Sequence, residues 1–141
     1  MKKLPNGLVV FNGTPHSIRF WTRWWGEPVE VETDEVISAL VEESVVYPPA
    51  FLYLIDSIEL LTFVRPIFKG TPEGEKIARE ALEAGADVVI GSIIAAQAYP
   101  GLVVAMTPAP GFERVPPEQK RMQPDRFTIF APNERTWEDL R

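Results

Sequence analysis

The segment 84–110, AGADVVIGSIIAAQAYPGLVVAMTPAP, restricts the possible folds more than any other part of the chain. Two short valine-rich runs, 87–90 and 102–106, have the composition of buried strands. Between them, residues 93–98 are apolar and rich in alanine, which indicates a buried helix of about two turns. This pattern predicts a strand, a helix and a second strand at the centre of the fold, with the other elements covering them or extending their sheet.

The N-terminal third of the chain predicts a β-meander, because apolar runs of strand length alternate there with turn residues. Asn12 and Gly13 form a pair that is typical of tight hairpins. The runs of strand length are 8–11, 17–23 and 29–32.

Two segments carry the signals that begin a helix. Thr71 and Pro72 have the residue types of the cap and the first helical position, and Gly85 has the residue type that ends a helix. Thr33 is a second candidate cap, and the apolar stripe after it predicts an amphipathic helix to about residue 43.

Together these patterns predict an α+β fold, with a mixed or antiparallel sheet, an N-terminal β-meander and two or three helices packed on it. We expect one compact domain, 1–130, followed by a polar C-terminal tail, 131–141. An α/β arrangement of the central segment is the alternative, because the connection 92–101 is near the minimum length for joining parallel strands.

Composition excludes several kinds of site. The chain has no cysteine, which excludes disulfides and zinc–thiolate sites, and its single histidine excludes a histidine-rich metal site. The net charge of −6 argues against non-specific nucleic-acid binding, which requires a basic surface. The glycine-rich motifs that bind dinucleotides and nucleoside triphosphates are also missing. We expect neither a metal nor a cofactor.

The most apolar stretch, 45–68, carries Asp56, Glu59 and Arg65, and each of these charges is costly inside a bilayer. The N-terminal apolar run is too short and too interrupted for a signal peptide. We therefore expect a protein without a membrane span, located in the cytoplasm, or in the host cytoplasm if its origin is viral. Fourteen prolines and many valine, glutamate and arginine residues are typical of proteins from thermophiles.

Four residues are candidates for binding a small anionic ligand. His16 is the only imidazole, a group that acts as a base or a ligand near neutral pH. Gly91 and Ser92 stand where a strand passes into a helix, and free N–H groups at a helix start bind phosphate or carboxylate. Arg121 lies among the basic residues of the segment 108–126. The alternatives are structural, with His16 capping a turn and Ser92 serving as an N-cap.

Trp21, Trp24 and Trp25 form an aromatic and basic cluster with Arg19 and Arg23 within seven residues. The cluster is a candidate either for stacking on a base or ring of a ligand or for anchoring a partner protein, since tryptophan and arginine dominate the binding energy of protein interfaces. The alternative is packing across the strands of a hairpin. The residues predicted to contact a partner are Trp21, Arg23, Trp24 and Trp25.

The segment 108–126 is too rich in proline for regular structure and contains Phe112, Lys120 and Arg121. Loops of this length in compact domains are usually functional or disordered. A basic loop stiffened by proline is suited to covering an anionic ligand, or equally to wrapping a neighbouring subunit. A last short strand is expected after it, at 127–130.

Asn12, Thr14, Pro15 and His16 match four of the five positions of an Asn-Leu-Thr-Pro-His signature, and Gly13 stands where the signature has leucine. The chain resembles a group of short proteins from phages, prophages and other microbial genomes that open with this signature. The resemblance covers most of the chain. It implies a single compact domain and a viral or mobile-element origin, and it implies no particular reaction.

Other positions both match and depart from this group. Ser92 and Ala95 fall where such proteins have a valine-serine and an alanine, and 127–130 resembles their last strand. The helix predicted at 72–84 replaces a shorter loop, and 107–111 lacks the acidic residue of the group's Pro-Asp-Thr-Gly segment. The resemblance is therefore most specific at the signature itself.

Three functions are compatible with these patterns. The first is a homo-oligomeric interaction or accessory protein without enzymatic activity, which uses the tryptophan cluster and the segment 108–126 as contact surfaces. The second is a protein that binds a small anionic ligand, such as a nucleotide or phosphate compound, through Gly91, Ser92 and the late arginines. The third is a hydrolase-like enzyme that uses His16. No group of residues has the spacing of a catalytic site, so no catalytic residue is assigned.

Overall fold

The computed structural model describes residues 1–46 and 65–131, which form an α+β fold with a mixed sheet and two α-helices. The fold class predicted from the sequence is confirmed at this level. The strands are β1 (Lys2–Lys3), β2 (Val9–Asn12), β3 (Ile18–Phe20), β4 (Val29–Val31), β5 (Val41–Val46), β6 (Arg65–Gly70), β7 (Val88–Ile90), β8 (Val103–Pro108) and β9 (Met122–Thr128). The helices are α1 (Pro72–Glu83), α2 (Ile93–Ala98) and a short 3-10 helix, Pro117–Gln119.

Seven strands form one sheet in the order β1-β2-β7-β8-β9-β3-β4. The strands β2, β7 and β8 are parallel to one another, whereas β9 is antiparallel to β8 and parallel to β3. The two outer strands, β1 and β4, are antiparallel to their neighbours. A separate antiparallel pair, β5 and β6, lies outside this sheet.

The central segment folds into a strand, a helix and a strand, as its composition predicts. The helix α2 connects the parallel strands β7 and β8, so this part of the molecule has the α/β arrangement that stood as the alternative. Ser92 is the N-cap of α2, because its Oγ accepts a hydrogen bond of 3.1 Å from the Ala95 N–H. A buried parallel pair is apolar on both faces, which explains the continuous valine runs.

The helix α1 begins and ends where the sequence predicts. The Oγ1 of Thr71 accepts a hydrogen bond from the Gly74 N–H at 3.1 Å, and Gly85 follows the helix with φ of 109°. Ala78 and Ala81 are buried on the face that packs toward the sheet. Local capping therefore sets the limits of this helix.

The hairpin predicted at Asn12-Gly13 is wrong, because β7, β8 and β9 separate β2 from β3 in the sheet. The Gly13 N–H donates to the Ile90 oxygen at 2.8 Å, so the chain crosses the end of β7 instead of turning back on β2. A Cβ atom at position 13 would lie 2.6 Å from that oxygen. The close approach of two backbones, and not a turn, requires glycine here.

The helix predicted after Thr33 is also wrong, since 34–40 consists of turns followed by β5. The backbone N–H groups of this segment donate to the neighbouring loop instead of to their own helix. Asp34 N–H donates to the Asn12 oxygen at 2.9 Å, and Ile37 N–H donates to the Gly13 oxygen at 2.8 Å. Tertiary hydrogen bonds therefore override the local helical pattern.

The strand predicted at 127–130 begins earlier, because β9 starts at Met122 inside the segment predicted to be irregular. Its pairing with β8 is interrupted between Met106 and Pro108. Such an irregularity accommodates Pro124, which has no N–H to donate to the ladder.

Two hydrophobic cores lie on opposite faces of the large sheet. In the first core, α1 and α2 pack against the side chains of β7 and β8 that point away from the second core. Ile37 is fully buried between these elements. The members of the second core come from strands and loops, with no helical residue among those described. Its fully buried side chains include Val10, Phe20 and Ile90. Because no described helix covers the second core, the strands of the sheet must curl around it.

Side chains connect the two edges of the curled sheet. The Lys2 Nζ donates to the Glu30 oxygen at 2.9 Å, which joins β1 to β4. The Asn12 Nδ2 donates to the Val31 oxygen at 3.1 Å, which joins β2 to β4. The curled sheet thus has an interior filled by the second core and an open end at the carboxyl termini of β2 and β7.

In the described part of the chain, no helix is long and apolar enough to cross a bilayer. The predicted tail, 131–141, lies outside the described residues except for Ala131. Asp56 and Glu59 also lie outside them.

Candidate functional site

Asn12, the last residue of β2, is fully buried and organises the loop that follows it. Its Nδ2 donates to the backbone oxygens of His16, at 2.8 Å, and Val31, at 3.1 Å. Its Oδ1 accepts from the N–H and the Oγ1 of Thr14, at 2.9 and 2.7 Å. Every donor and acceptor of the buried amide is satisfied, which is the condition for a buried polar group to stabilise its surroundings.

Further bonds fix the loop 12–16. The Oγ1 of Thr14 lies 3.0 Å from the His16 oxygen, and the Oγ1 of Thr33 donates to the Thr14 oxygen at 2.9 Å. The imidazole of His16 is exposed and makes no hydrogen bond or ion pair with any described residue. The turn is therefore held by Asn12 and Thr14, and the imidazole remains available.

A cavity of about 450 Å³ lies at the open end of the curled sheet, and we call it the His16 cavity. Several parts of the chain meet there: the loop after β2, the segment 33–40, the N-cap of α2, the loop 109–121, and residues of β3, β8 and β9. Its lining residues are hydroxyl-bearing (Thr14, Ser17, Ser38, Ser92), basic (His16, Arg19, Lys120) and apolar (Pro15, Ile18, Met106, Pro117, Met122).

The His16 cavity differs in charge from the protein as a whole. The chain has a net charge of −6, yet no aspartate or glutamate is among the described residues that line this cavity. Arg19 is partly engaged, because its Nη1 donates to the Glu118 backbone oxygen at 2.8 Å and its Nη2 lies 4.0 Å from the Glu30 Oε1, a carboxylate that does not line the cavity. The Lys120 ammonium has no partner among the described residues. The local potential is therefore positive and attracts anions.

Ser92 and Gly91, both predicted to bind a ligand, have different surroundings. Ser92 lines the His16 cavity, and its N–H donates to the Ser38 Oγ at 3.1 Å. Gly91 is buried and its N–H donates to the Val104 oxygen at 2.9 Å, so this N–H is not free for an anion. A Cβ atom at Gly91 would lie 2.7 Å from Val103 Cγ1, which explains the glycine by packing.

Arg121, the fourth predicted ligand residue, borders a second cavity of about 430 Å³, which we call the Arg121 cavity. The Arg121 Cζ lies 5.0 Å from the ring centroid of Trp21 and 4.9 Å from that of Phe112. The two rings contact each other edge to face, with centroids 5.8 Å apart. The lining residues of the Arg121 cavity are Arg19, Pro28, Phe112, Glu118, Gln119, Lys120 and Arg121.

The structure divides the tryptophan cluster. Trp24 is 79% exposed, and the Arg23 Cζ lies 4.6 Å from the centroid of its ring. Trp25 is half-buried against the second core, and Trp21 packs on Phe112. The Nε1 of Trp21 is buried without a hydrogen bond to a described residue. Only Trp24 and Arg23 therefore present an open aromatic and cationic surface.

His16 and Ser92, both predicted from the sequence to bind a ligand, line the same cavity in the fold. Arg19 was expected only in the tryptophan cluster, and nothing in the sequence indicated Met106 or Met122, because the order of the strands that carry them is set by long-range pairing. Lys120 was noted only as part of a basic loop. The positive charge of Arg121, the next residue after Lys120, is the sequence signal that indicated a ligand site in this region.

Among the described residues, no group of three or more histidine, aspartate or glutamate side chains is arranged to hold a metal ion. Comparison of the chain with protein-family models, curated proteins and solved structures found no match.

Proposed function

We propose that the protein binds a small organic anion with an apolar body in the His16 cavity. The observation that carries this proposal is the lining of the cavity, which combines apolar walls with three basic side chains and no carboxylate among the described residues. Apolar walls with a few convergent polar groups are the usual composition of a small-molecule site.

The place of the cavity in the fold supports the same function. The loops that follow the carboxyl ends of the parallel strands β2 and β7 both reach it, through His16 and Ser92. Ligands of parallel sheets bind in crevices at the carboxyl ends of strands, and ligands of curled sheets bind in the open mouth. Met106 and Met122 on the walls have flexible side chains that adapt to an apolar ligand.

The hydrogen bonds suggest separate roles for the residues of the signature. Asn12 and Thr14 build the loop, and His16 is the signature residue whose side chain remains free to contact a ligand. We propose that the short phage and microbial proteins that this chain resembles use the signature in the same way, as a device that presents one imidazole.

Anilinonaphthalene sulfonate, a fluorescent probe with an aromatic body and one anionic group, tests the proposal. We expect saturable binding to one site of the wild-type protein, measured by fluorescence titration. Lys120→Glu reverses a cavity charge and should weaken binding about tenfold, which corresponds to about 1.4 kcal/mol. Lys76→Glu, an exposed charge reversal on α1, is the matched control and should leave the affinity unchanged.

A second variant separates binding in the cavity from adsorption to exposed apolar surface. His16→Glu should lower the affinity for the probe to a similar extent as Lys120→Glu, because both side chains line the same cavity. Equal affinities for wild type, Lys120→Glu and His16→Glu would mean that the probe binds elsewhere, and the proposal would be wrong.

A second function, contact with a protein partner or with another copy of the chain, is favoured by the exposed pair of Trp24 and Arg23. A tryptophan that is 79% exposed with a guanidinium 4.6 Å from its ring is the composition of an interface hot spot. Trp24→Ala should lower the mass measured by light scattering and leave the free energy of unfolding nearly unchanged. Trp25→Ala should instead destabilise the fold by about 2 kcal/mol, because that ring packs on the second core. An unchanged mass in Trp24→Ala would argue against this function.

A further inference from the structure

The His16 cavity and the Arg121 cavity share two of their walls. Arg19 and Lys120 line both cavities, so the two spaces lie on either side of these side chains. The shared residues are basic, and Lys120 has no partner among the described residues. A ligand that extends from one cavity to the other would therefore pass two basic side chains, of which Arg19 also lies 4.0 Å from the Glu30 carboxylate.

The Arg121 guanidinium packs beside two aromatic rings, and its donors make no hydrogen bond to a described residue. Its Cζ lies 5.0 and 4.9 Å from the centroids of the Trp21 and Phe112 rings, which places the guanidinium against both. No carboxylate, carbonyl or hydroxyl of the described residues accepts a hydrogen bond from it. A guanidinium has five N–H donors in a planar fork, and these match the oxygens of a carboxylate or a phosphate.

The position of Arg121 is set before any ligand binds. Its backbone oxygen accepts a hydrogen bond of 2.8 Å from the Ala109 N–H, and its side chain is half-buried. Ring contacts restrict the side chain further, so little rotamer entropy remains to be lost when an anion binds. An arginine on an open surface lacks this restriction, and its ion pairs contribute little.

The lining of the Arg121 cavity has a net positive charge. Arg19, Lys120 and Arg121 oppose one carboxylate, that of Glu118. The cavity therefore favours an anionic ligand group over an uncharged one.

From these observations we infer that one elongated ligand occupies both cavities. Its apolar body lies in the His16 cavity, and its terminal carboxylate or phosphate accepts paired hydrogen bonds from Arg121. This inference rests on the proposed function, since it assumes that the His16 cavity holds an apolar body. It assigns the ligand to a chemical class, the amphipathic molecules with a single oxyanion at one end.

Three eight-carbon probes test the inference by isothermal titration calorimetry below their micellar concentrations: octanol, octanoate and octyl phosphate. The wild-type protein should bind at least one of the two anions about tenfold or more tightly than octanol. Arg121→Gln should abolish that gain and leave the affinity for octanol unchanged. Arg126→Gln, an exposed arginine on β9 that lines neither cavity, is the matched control and should retain the full gain.

A conservative variant separates paired hydrogen bonds from simple charge. Arg121→Lys keeps the positive charge but lacks the planar fork, and it should also lose most of the gain for the anion. A gain for octyl phosphate alone assigns a phosphate to the ligand, and a gain for octanoate alone assigns a carboxylate. Melting curves of both variants show whether they are folded.

The possible failures are distinguishable. If Arg121→Gln retains the gain and His16→Gln, a change that touches only the His16 cavity, loses it, the anion lies in the His16 cavity. The inference of a two-cavity ligand is then overturned, whereas the proposed function stands. If octanol binds and neither anion binds more tightly, the inference is also overturned. If no probe binds the wild-type protein, both the proposed function and the inference of a two-cavity ligand are wrong.

Discussion

The two loops that border the His16 cavity are held by different forces. The loop 12–16 is fixed by the buried amide of Asn12, which makes four hydrogen bonds within it and to β4. The loop 109–121 is closed at its base by one backbone bond and contains further local bonds between its own residues. It is joined to the rest of the fold by the packing of Arg121 and Phe112 on Trp21 and by one bond from Arg19. A satisfied buried network costs several kcal/mol to break, whereas ring contacts contribute about 0.5 to 1.5 kcal/mol each. We therefore expect the loop 12–16 to unfold only together with the core, and the loop 109–121 to open locally without global unfolding.

The strongest test of this comparison is Asn12→Ala. The substitution leaves the backbone oxygen of Val31 and the N–H of Thr14 without their side-chain partner and removes one of the two partners of the His16 oxygen. We expect a loss of about 3 kcal/mol or more in the free energy of unfolding, measured by urea denaturation. Asn6→Ala is the matched control, because that amide also bonds to backbone but is exposed, and it should cost about 1 kcal/mol. Equal losses for the two variants would remove the distinction between the loops.

Gly13→Ala tests whether backbone packing contributes to the rigidity of the first loop. The new methyl group would lie 2.6 Å from the Ile90 oxygen, so either β7 or the loop must move. We expect a loss of about 2 kcal/mol in the free energy of unfolding, also measured by urea denaturation. Gly26→Ala has open space around its Cβ position and should be neutral or slightly stabilising. A neutral Gly13→Ala would show that the crossing over β7 is loose.

Thr14→Val removes the hydroxyl of the first loop with little change in volume. The valine cannot donate to the Asn12 Oδ1 or to the His16 oxygen. We expect a loss of about 1 to 2 kcal/mol, together with faster amide exchange in the loop 12–16 measured by hydrogen–deuterium mass spectrometry. Thr128→Val, at an exposed position of β9, is the control and should change neither quantity. Unchanged exchange in Thr14→Val would mean that Asn12 alone fixes the loop.

Phe112→Leu should have the smallest effect on stability, because it removes only the aromatic contacts of the second loop. The expected loss is below about 1 kcal/mol. Cleavage by trypsin after Arg114, an exposed residue of that loop, should nevertheless become faster, since the loop opens locally without global unfolding. A loss as large as that of Asn12→Ala would show that the second loop also belongs to the core.

The local elements were predictable because their determinants act over a few residues. Thr71 caps α1 and Gly85 ends it, and Ser92 caps α2. The valine runs of β7 and β8 are buried strands whatever their order in the sheet. Residue types also indicated His16, Ser92 and Arg121 as ligand candidates. The sequence did not indicate that the first two share a cavity or that Arg121 packs beside two rings that contact each other.

Strand order and the shape of the site were decided by pairings between residues far apart in the chain. Val10 pairs with Val88, and Phe20 with Met122, and no local period encodes such matches. The same long-range contacts overrode two local signals. Asn12-Gly13 became a crossing over β7 instead of a hairpin, and the donors of 34–40 bonded to that crossing instead of forming a helix.

The sequence by itself therefore determined where α1 and α2 form and that the runs of β7 and β8 are buried strands, because capping bonds and hydrophobic runs act within a few residues. Tertiary structure alone decided that the sheet curls, that Asn12 bridges its edges, and that His16, Ser92 and Lys120 meet at its open end. The physical reason is that a buried polar group must find its partners wherever the fold supplies them. For Asn12 the partner on β4 lies outside its own loop.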